Sequence, residues 1–157
     1  MRLVRIVSGG QTGADRAAWD VALERGLRIG GWVPRGRLAE NGPIPVRYTG
    51  LVETDSAAPA LRTVRNVHDS DATLVVSHGP PSGGSRLALD EALRRGRPLL
   101  HLDLAMLSHA AAIARLREWL RDVDPETLNV AGPRASEDAA IAAALAVVLR
   151  AALAEPG

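Results

Sequence analysis

Three glycines between a β-branched stretch and a helix start give this chain its clearest chemical signature. Ser8-Gly9-Gly10-Gln11-Thr12-Gly13-Ala14-Asp15 follows Val4-Arg5-Ile6-Val7 and leads into Arg16-Ala17-Ala18-Trp19-Asp20. Glycine lets backbone N–H groups approach an anion closely, and the dipole of the following helix adds partial positive charge. The stretch therefore reads as a phosphate cradle, with the Ser8 and Thr12 hydroxyls as further donors. A second turn, His78-Gly79-Pro80-Pro81-Ser82-Gly83-Gly84-Ser85, again lies between an apolar run and a helix pattern. If the two preceding strands are neighbours, both helix N-termini point into one crevice, and a phosphate there is held by backbone amides with Ser77, Ser82 or Ser85.

Neither turn is a familiar nucleotide motif. The first lacks the spacing of the dinucleotide fingerprint and the Lys-Ser/Thr ending of a P-loop, which disfavours Walker-type ATP hydrolysis. Arg35 and Arg37, in a proline- and glycine-rich stretch with Glu40, are candidates to close over a bound anion. Asp15 is the candidate acid. Asp103 suits either a ligand hydroxyl or the cap of its own turn, and Asp69 and Asp71 read as helix-end and turn residues. His68, His78, His101 and His109 have no metal-ligand spacing, so no protein-ligated metal is expected.

The elements that must position these residues follow from periodicity. Leu3–Val7, Leu27–Val33, Ala72–Ser77, Pro98–Leu102 and Leu128–Ala131 read as about five main strands, with a brief one at Leu51–Glu53. Gly30-Gly31 marks a bulge or a close backbone approach. Helices are expected from Ala14 to the Gly26 stop, with Ala14, Ala17, Ala18, Val21 and Ala22 on one face, and after an Asp55 or Ser56 cap, with Leu61, Val64 and Val67 inward. Others follow Ser85 (Leu89, Ala92 and Leu93 inward), Ser108 (Ile113, Leu116, Leu120) and Ser136 (Ile141, Leu145, Val148, Leu149, Ala152). The loop from Pro34 to Gly50 is expected to dock through Ile44, Val46 and Tyr48. Strands alternating with helices imply an open, mainly parallel α/β sheet with helices on both faces, and ligands bind such sheets outside the strand carboxyl ends.

Composition sets the outer limits. At 157 residues, 46% hydrophobic and 24% charged, the chain suits one domain spanning 1–157 with a substantial core. All 19 basic residues are Arg, which offers bidentate contacts to phosphate, yet they alternate with acids and form no stripe for a nucleic-acid backbone. Cysteine is absent, which excludes disulfides and thiolate chemistry. No secretory signal is evident, and the longest apolar run, Ala139–Leu149, is too short to span a bilayer. A cytoplasmic setting without membrane contact is the expectation.

V-S-G-G-Q-T-G-A-D-R-A-A-W-D, G-G-W-V-P-R-G-R-x-A-E-N-G-P-I-P and R-N-V-H-D-S-D-A-T-L-V-V-S, followed by G-G-S and H-L-D-L, resemble the putative molybdenum carrier family, the circularly permuted YpsA branch of the SLOG superfamily. The resemblance runs from Val7 to Leu104. It implies a Rossmann-like fold related to the Lonely Guy and lysine-decarboxylase-like proteins. It further implies a phosphorylated nucleotide- or pterin-type ligand, the molybdenum cofactor (molybdopterin) in particular, with self-association and a molybdoenzyme recipient. Carried across, Gly9, Gly10, Thr12, Gly13 and Asp15 match the first motif, Pro34, Arg35, Gly36 and Arg37 the loop, and Ser77, Gly83, Gly84 and Ser85 the second turn. Hydrolytic relatives carry P-G-G-x-G-T followed closely by a carboxylate. Here the turn is S-G-G-S and the nearest acids are Asp90 and Glu91, more than a helical turn on. A binding or carrier protein with little or no catalysis is therefore expected. The alternatives are a nucleotide-cleaving hydrolase of phosphoribohydrolase type, with Asp15 as its acid, and a DNA-processing-type module.

Overall fold

A computed structural model describes residues 1–154, and the end of the proposed 1–157 unit lies outside the described residues. In chain order the elements are β1 (Arg5–Val7), α1 (Ala14–Glu24), β2 (Arg28–Val33), β3 (Leu38–Ala39), β4 (Gly42–Pro43) and β5 (Leu51–Glu53). Then come α2 (Pro59–His68), β6 (Ala72–Ser77), α3 (Gly83–Arg94), β7 (Leu99–Asp103), α4 (His109–Val123), β8 (Thr127–Ala131) and α5 (Ile141–Leu153).

Six strands form one parallel sheet in the order β5-β2-β1-β8-β6-β7. Its interior strands are apolar on both sides, as helices on both faces demand: all six residues of β6 are buried. Helices α1, α4 and α5 pack together on one face, and α2 and α3 on the other. The core on the first face is built from Ile6, Trp19, Leu74, Leu102, Leu116, Leu128 and Leu145, all essentially inaccessible. Among the described residues no helix is long and apolar enough to cross a membrane.

One assumption behind the shared crevice needs correction. Strands β1 and β6 are not neighbours, because β8, from late in the chain, lies between them and pairs with both. The two glycine turns face each other across the exit of β8. Gly132 makes that exit possible, since a Cβ there would stand 2.6 Å from both the Ala14 Cβ and the Val76 carbonyl oxygen.

Several local expectations also change. The stretch after Pro34 contains a small hairpin, β3 with β4. It docks through Ile44 and Tyr48, both buried, while Val46 is 89% exposed. Helix α2 begins at Pro59 with Ala58 as its cap and turns a polar face inward: Arg62, Asn66 and Val67 are its buried residues, whereas Leu61 and Val64 are only partly covered. Leu93 of α3 is exposed, and Ala88 and Ala92 fill the interface in its place. Helix α5 starts at Ile141 rather than Ser136, because the Asp138 side chain takes the Ala140 N–H at 3.0 Å and holds a turn there. By contrast Ser108 caps α4 as expected, accepting from the Ala111 N–H at 3.1 Å. Gly31, at φ 127°, is a close approach: a Cβ would stand 2.4 Å from the Ser8 carbonyl oxygen.

Candidate functional site

A crevice of about 270 Å³ opens at the carboxyl ends of the strands, between α2 and α3 and over the exit of β8. Gly9, Gln11 and Asp15 of the first turn line one side, and Gly83, Gly84 and Ser85 the other. Asn129 forms part of the floor, and Arg62, Asn66, Arg134 and Glu137 complete the polar lining. The two turns singled out from sequence thus meet in one cavity although their strands do not touch.

The α3 side presents open hydrogen-bond donors. Ser82 is the N-cap but its side chain caps nothing, and the first turn carries no acidic residue. The Ser85 hydroxyl donates back to the Ser82 carbonyl at 2.8 Å, which leaves its lone pairs and the first-turn N–H groups without a protein partner among the described residues. Gly84 is the telling residue. It lies outside the left-handed region and a Cβ there would enter open space, so neither backbone geometry nor packing calls for glycine. In a helix, glycine where alanine fits costs about 0.5–1 kcal/mol. What the missing side chain does provide is a bare approach to the N-terminal amides of α3.

The α1 side is more occupied with its own architecture. Asp15 is buried, and its carboxylate accepts from the Gln11 N–H at 3.1 Å and stands 4.0 Å from the Arg62 guanidinium. Burial pushes its carboxyl up to about 6, against the opposing pull of Arg62. Arg62 reaches from α2 to donate to the Gly9 carbonyl, so Gly9 lacks a side chain because the guanidinium occupies that space. Burial holds the Arg62 guanidinium below its ordinary range.

Other residues expected at the site turn out to hold the framework. Ser8 donates to the Asp15 carbonyl at 3.1 Å and accepts from the Gly10 N–H at 3.3 Å, beneath the turn. A Cβ on Gly10 would collide with Ile44 and Trp19, and one on Gly13 with the Pro133 carbonyl. Thr12 donates to Glu40 and accepts from the Ala135 N–H at 3.1 Å. The Gln11 side-chain carbonyl receives the Thr12 and Glu40 N–H groups at 3.0 and 2.9 Å. Hydrogen bonds from Ser136 and then Thr12 hold the Glu40 carboxyl below its usual range. Arg35 and Arg37 do not line the crevice. Arg35 is exposed, and Arg37 donates to the carbonyls of Ile44, Pro45 and Tyr48, which ties up its own loop. Ser77 lies beside the crevice, donating to the Gly79 carbonyl at 2.7 Å and contacting His101 Nε2 at 2.7 Å.

The remaining acids are also engaged. Asp103 accepts from the Gly79 and Ala105 N–H groups at 2.8 and 2.9 Å, so it serves its turn. Asp71 accepts from Thr127 at 2.9 Å, and Asp69 receives the Trp32 indole N–H at 2.7 Å. Glu91 faces away from the crevice, bound to His68 and Arg94, and Asp90 pairs with Arg86 on the surface.

Sequence reasoning missed Arg62, Asn66, Asn129, Arg134 and Glu137. Asn129 carried a signal: it is an amide amid the apolar residues of a central strand. Its Nδ2 donates to Thr73 Oγ1 at 3.3 Å, while Oδ1 has no partner among the described residues and the side chain is almost fully buried at the crevice floor. Among the described residues, no group of three or more His, Cys, Asp or Glu side chains is placed to hold a metal ion.

A parallel sheet with helices on both faces and a glycine-lined crevice where the strand order reverses defines a Rossmann-like α/β fold. The chain belongs to the circularly permuted YpsA family of SLOG proteins, whose model matches residues 6–153. It is similar in structure to a protein from Syntrophus aciditrophicus SB, solved as a crystal structure at 1.45 Å resolution and named putative molybdenum carrier protein. The TM-score is 0.94 at 44% sequence identity, covering 98% of this chain and 96% of that one. No curated protein matches the chain significantly.

Proposed function

We propose that this chain is a binding protein that shelters a small phosphorylated heterocycle, with the molybdenum cofactor as the candidate cargo. The observation that carries the reading is Gly84, a glycine without a structural reason, set beside three uncapped amides in a crevice shared with the first glycine turn. The crevice sets Arg62 and Arg134 against Asp15 and Glu137, so its side-chain charges nearly cancel and the α3 amides tip it toward an anion. The name of the Syntrophus aciditrophicus protein supports molybdenum cofactor as the first ligand to try. In that cargo the metal arrives on the pterin rather than on protein ligands. A carrier role brings with it a recipient molybdoenzyme and self-association, which mixing experiments and sedimentation read out.

Calorimetry with molybdopterin and with ADP tests the proposal against Gly84→Ala. The variant is expected to melt at the same temperature or higher, because alanine favours the helix, while binding weakens at least tenfold. Unchanged affinity, or no heat with either compound in the parent protein, overturns the phosphate cradle.

Asp15 favours a second reading, a nucleotide-cleaving hydrolase. A buried carboxyl held near 6 in a crevice suits general acid–base work on a glycosidic bond. Prolonged incubation with a nucleotide panel decides it: a released base or phosphate, lost in Asp15→Asn, supports catalysis, and unchanged nucleotides remove it.

A further inference from the structure

Next to the crevice, on the other side of the α3 N-terminus, lies a second cavity of about 410 Å³. The two share Ser85 and Glu137 in their linings, so an anion at the first turn of α3 stands at the junction of both. A ligand ending at that anion fills only one of them.

The second cavity has its own chemistry. His78 Nδ1 is held by Asp138 Oδ2 at 2.6 Å, and Asp138 Oδ1 is fixed in turn by the Ala140 N–H at 3.0 Å. That anchoring settles the ring, and His78 Nε2 has no protein partner among the described residues. With the carboxylate on Nδ1–H, Nε2 is the ring atom left to exchange a hydrogen bond with a ligand hydroxyl in the cavity. The Glu137 carboxylate, paired with Arg134 at 3.2 Å, is an acceptor in the same lining, and Pro80, Pro81 and Pro133 supply C–H walls. A histidine nitrogen and a carboxylate set between aliphatic ring faces match a group rich in hydroxyls, which can donate or accept, better than a flat aromatic base. On the crevice side, the buried Asn129 amide with its free Oδ1 is the matching polar group at the floor.

From this pair of adjoining cavities we propose that the ligand is bipartite: a phosphate or diphosphate at α3 bridges a heterocycle in the crevice to a polyhydroxylated, sugar-like group bound by His78 in the second cavity. The proposal rests on the phosphate-cradle reading and adds a distal specificity residue, His78, with Asp138 as the residue that positions it.

ADP and ADP-ribose separate the two claims, because they share base, sugar and diphosphate and differ in the distal ribose. By calorimetry on the intact protein, ADP-ribose is expected to bind at least tenfold more tightly than ADP. His78→Ala should abolish that advantage and leave ADP binding unchanged. Asp138→Asn, which keeps the Ala140 contact, should reduce the advantage without removing ADP binding. Thermal melts of both variants control for folding. Equal affinities for the two compounds, or an equal loss of both in His78→Ala, overturn the second cavity while leaving the cradle standing. If neither compound binds while molybdopterin does, this inference falls and the cradle stands; if molybdopterin fails as well, both fall.

Discussion

Asp15 shows how one buried carboxylate sets a pH signature. Its ordinary value is 3.8 and burial raises it to about 6 in the folded protein. Between these values the folded state holds the proton more tightly, so this group's contribution to stability is greatest at low pH. It is lost as pH rises toward 6, a span of about 3 kcal/mol. Asp15→Asn removes the titration. The stability of the variant relative to the parent, from urea unfolding, should therefore improve between pH 4 and pH 7, and a flat difference contradicts the raised value. Whether Asn129 and Arg62 matter was harder to read from sequence than Asp15 was. The glycine turns announce themselves through composition alone. Arg62 is an ordinary helical arginine until the fold brings it to Gly9, 53 positions away, and periodicity holds no record of so distant a contact.

At the scale of elements, one carboxylate joins the loop from Pro34 to Gly50 to two distant segments. Glu40 accepts from Thr12 at the head of α1 and from the Ser136 N–H at 3.1 Å, and lies 3.5 Å from the Arg134 guanidinium. It joins the hairpin, the first turn and the segment before α5. Glu40→Ala should leave the sheet folded yet speed proteolytic nicking between residues 34 and 50, followed by mass spectrometry of early fragments. An unchanged cleavage pattern would mean that buried Ile44 and Tyr48, with the Tyr48 and Arg47 contacts to Asp20, suffice to hold the loop. The strands and the apolar helices α1 and α5 were legible because burial on one stripe leaves a clear period. Helix α2 was misread for the same reason: its Leu61-Val64-Val67 spacing mimics a core face, while the crevice draws the polar side inward.

Across the whole molecule, everything at the ligand edge depends on the exit of β8. Gly132→Ala puts a methyl against Ala14 and the Val76 carbonyl at once, so unfolding free energy should fall by about 1–3 kcal/mol in urea titrations. A neutral result would show that α1 can slide to accommodate it. The alternation of strands and helices made the parallel sheet legible, but the order of its strands was not, since nothing local tells β8 to return to the middle. That late return also bears on synthesis. Until residues 127–131 leave the ribosome, β5-β2-β1 and β6-β7 have no strand to join them, and β1 and β6 each keep an edge of unpaired backbone N–H and C=O groups. A nascent chain paused before that point exposes two adhesive edges, and its need for chaperone protection should end when the keystone strand arrives.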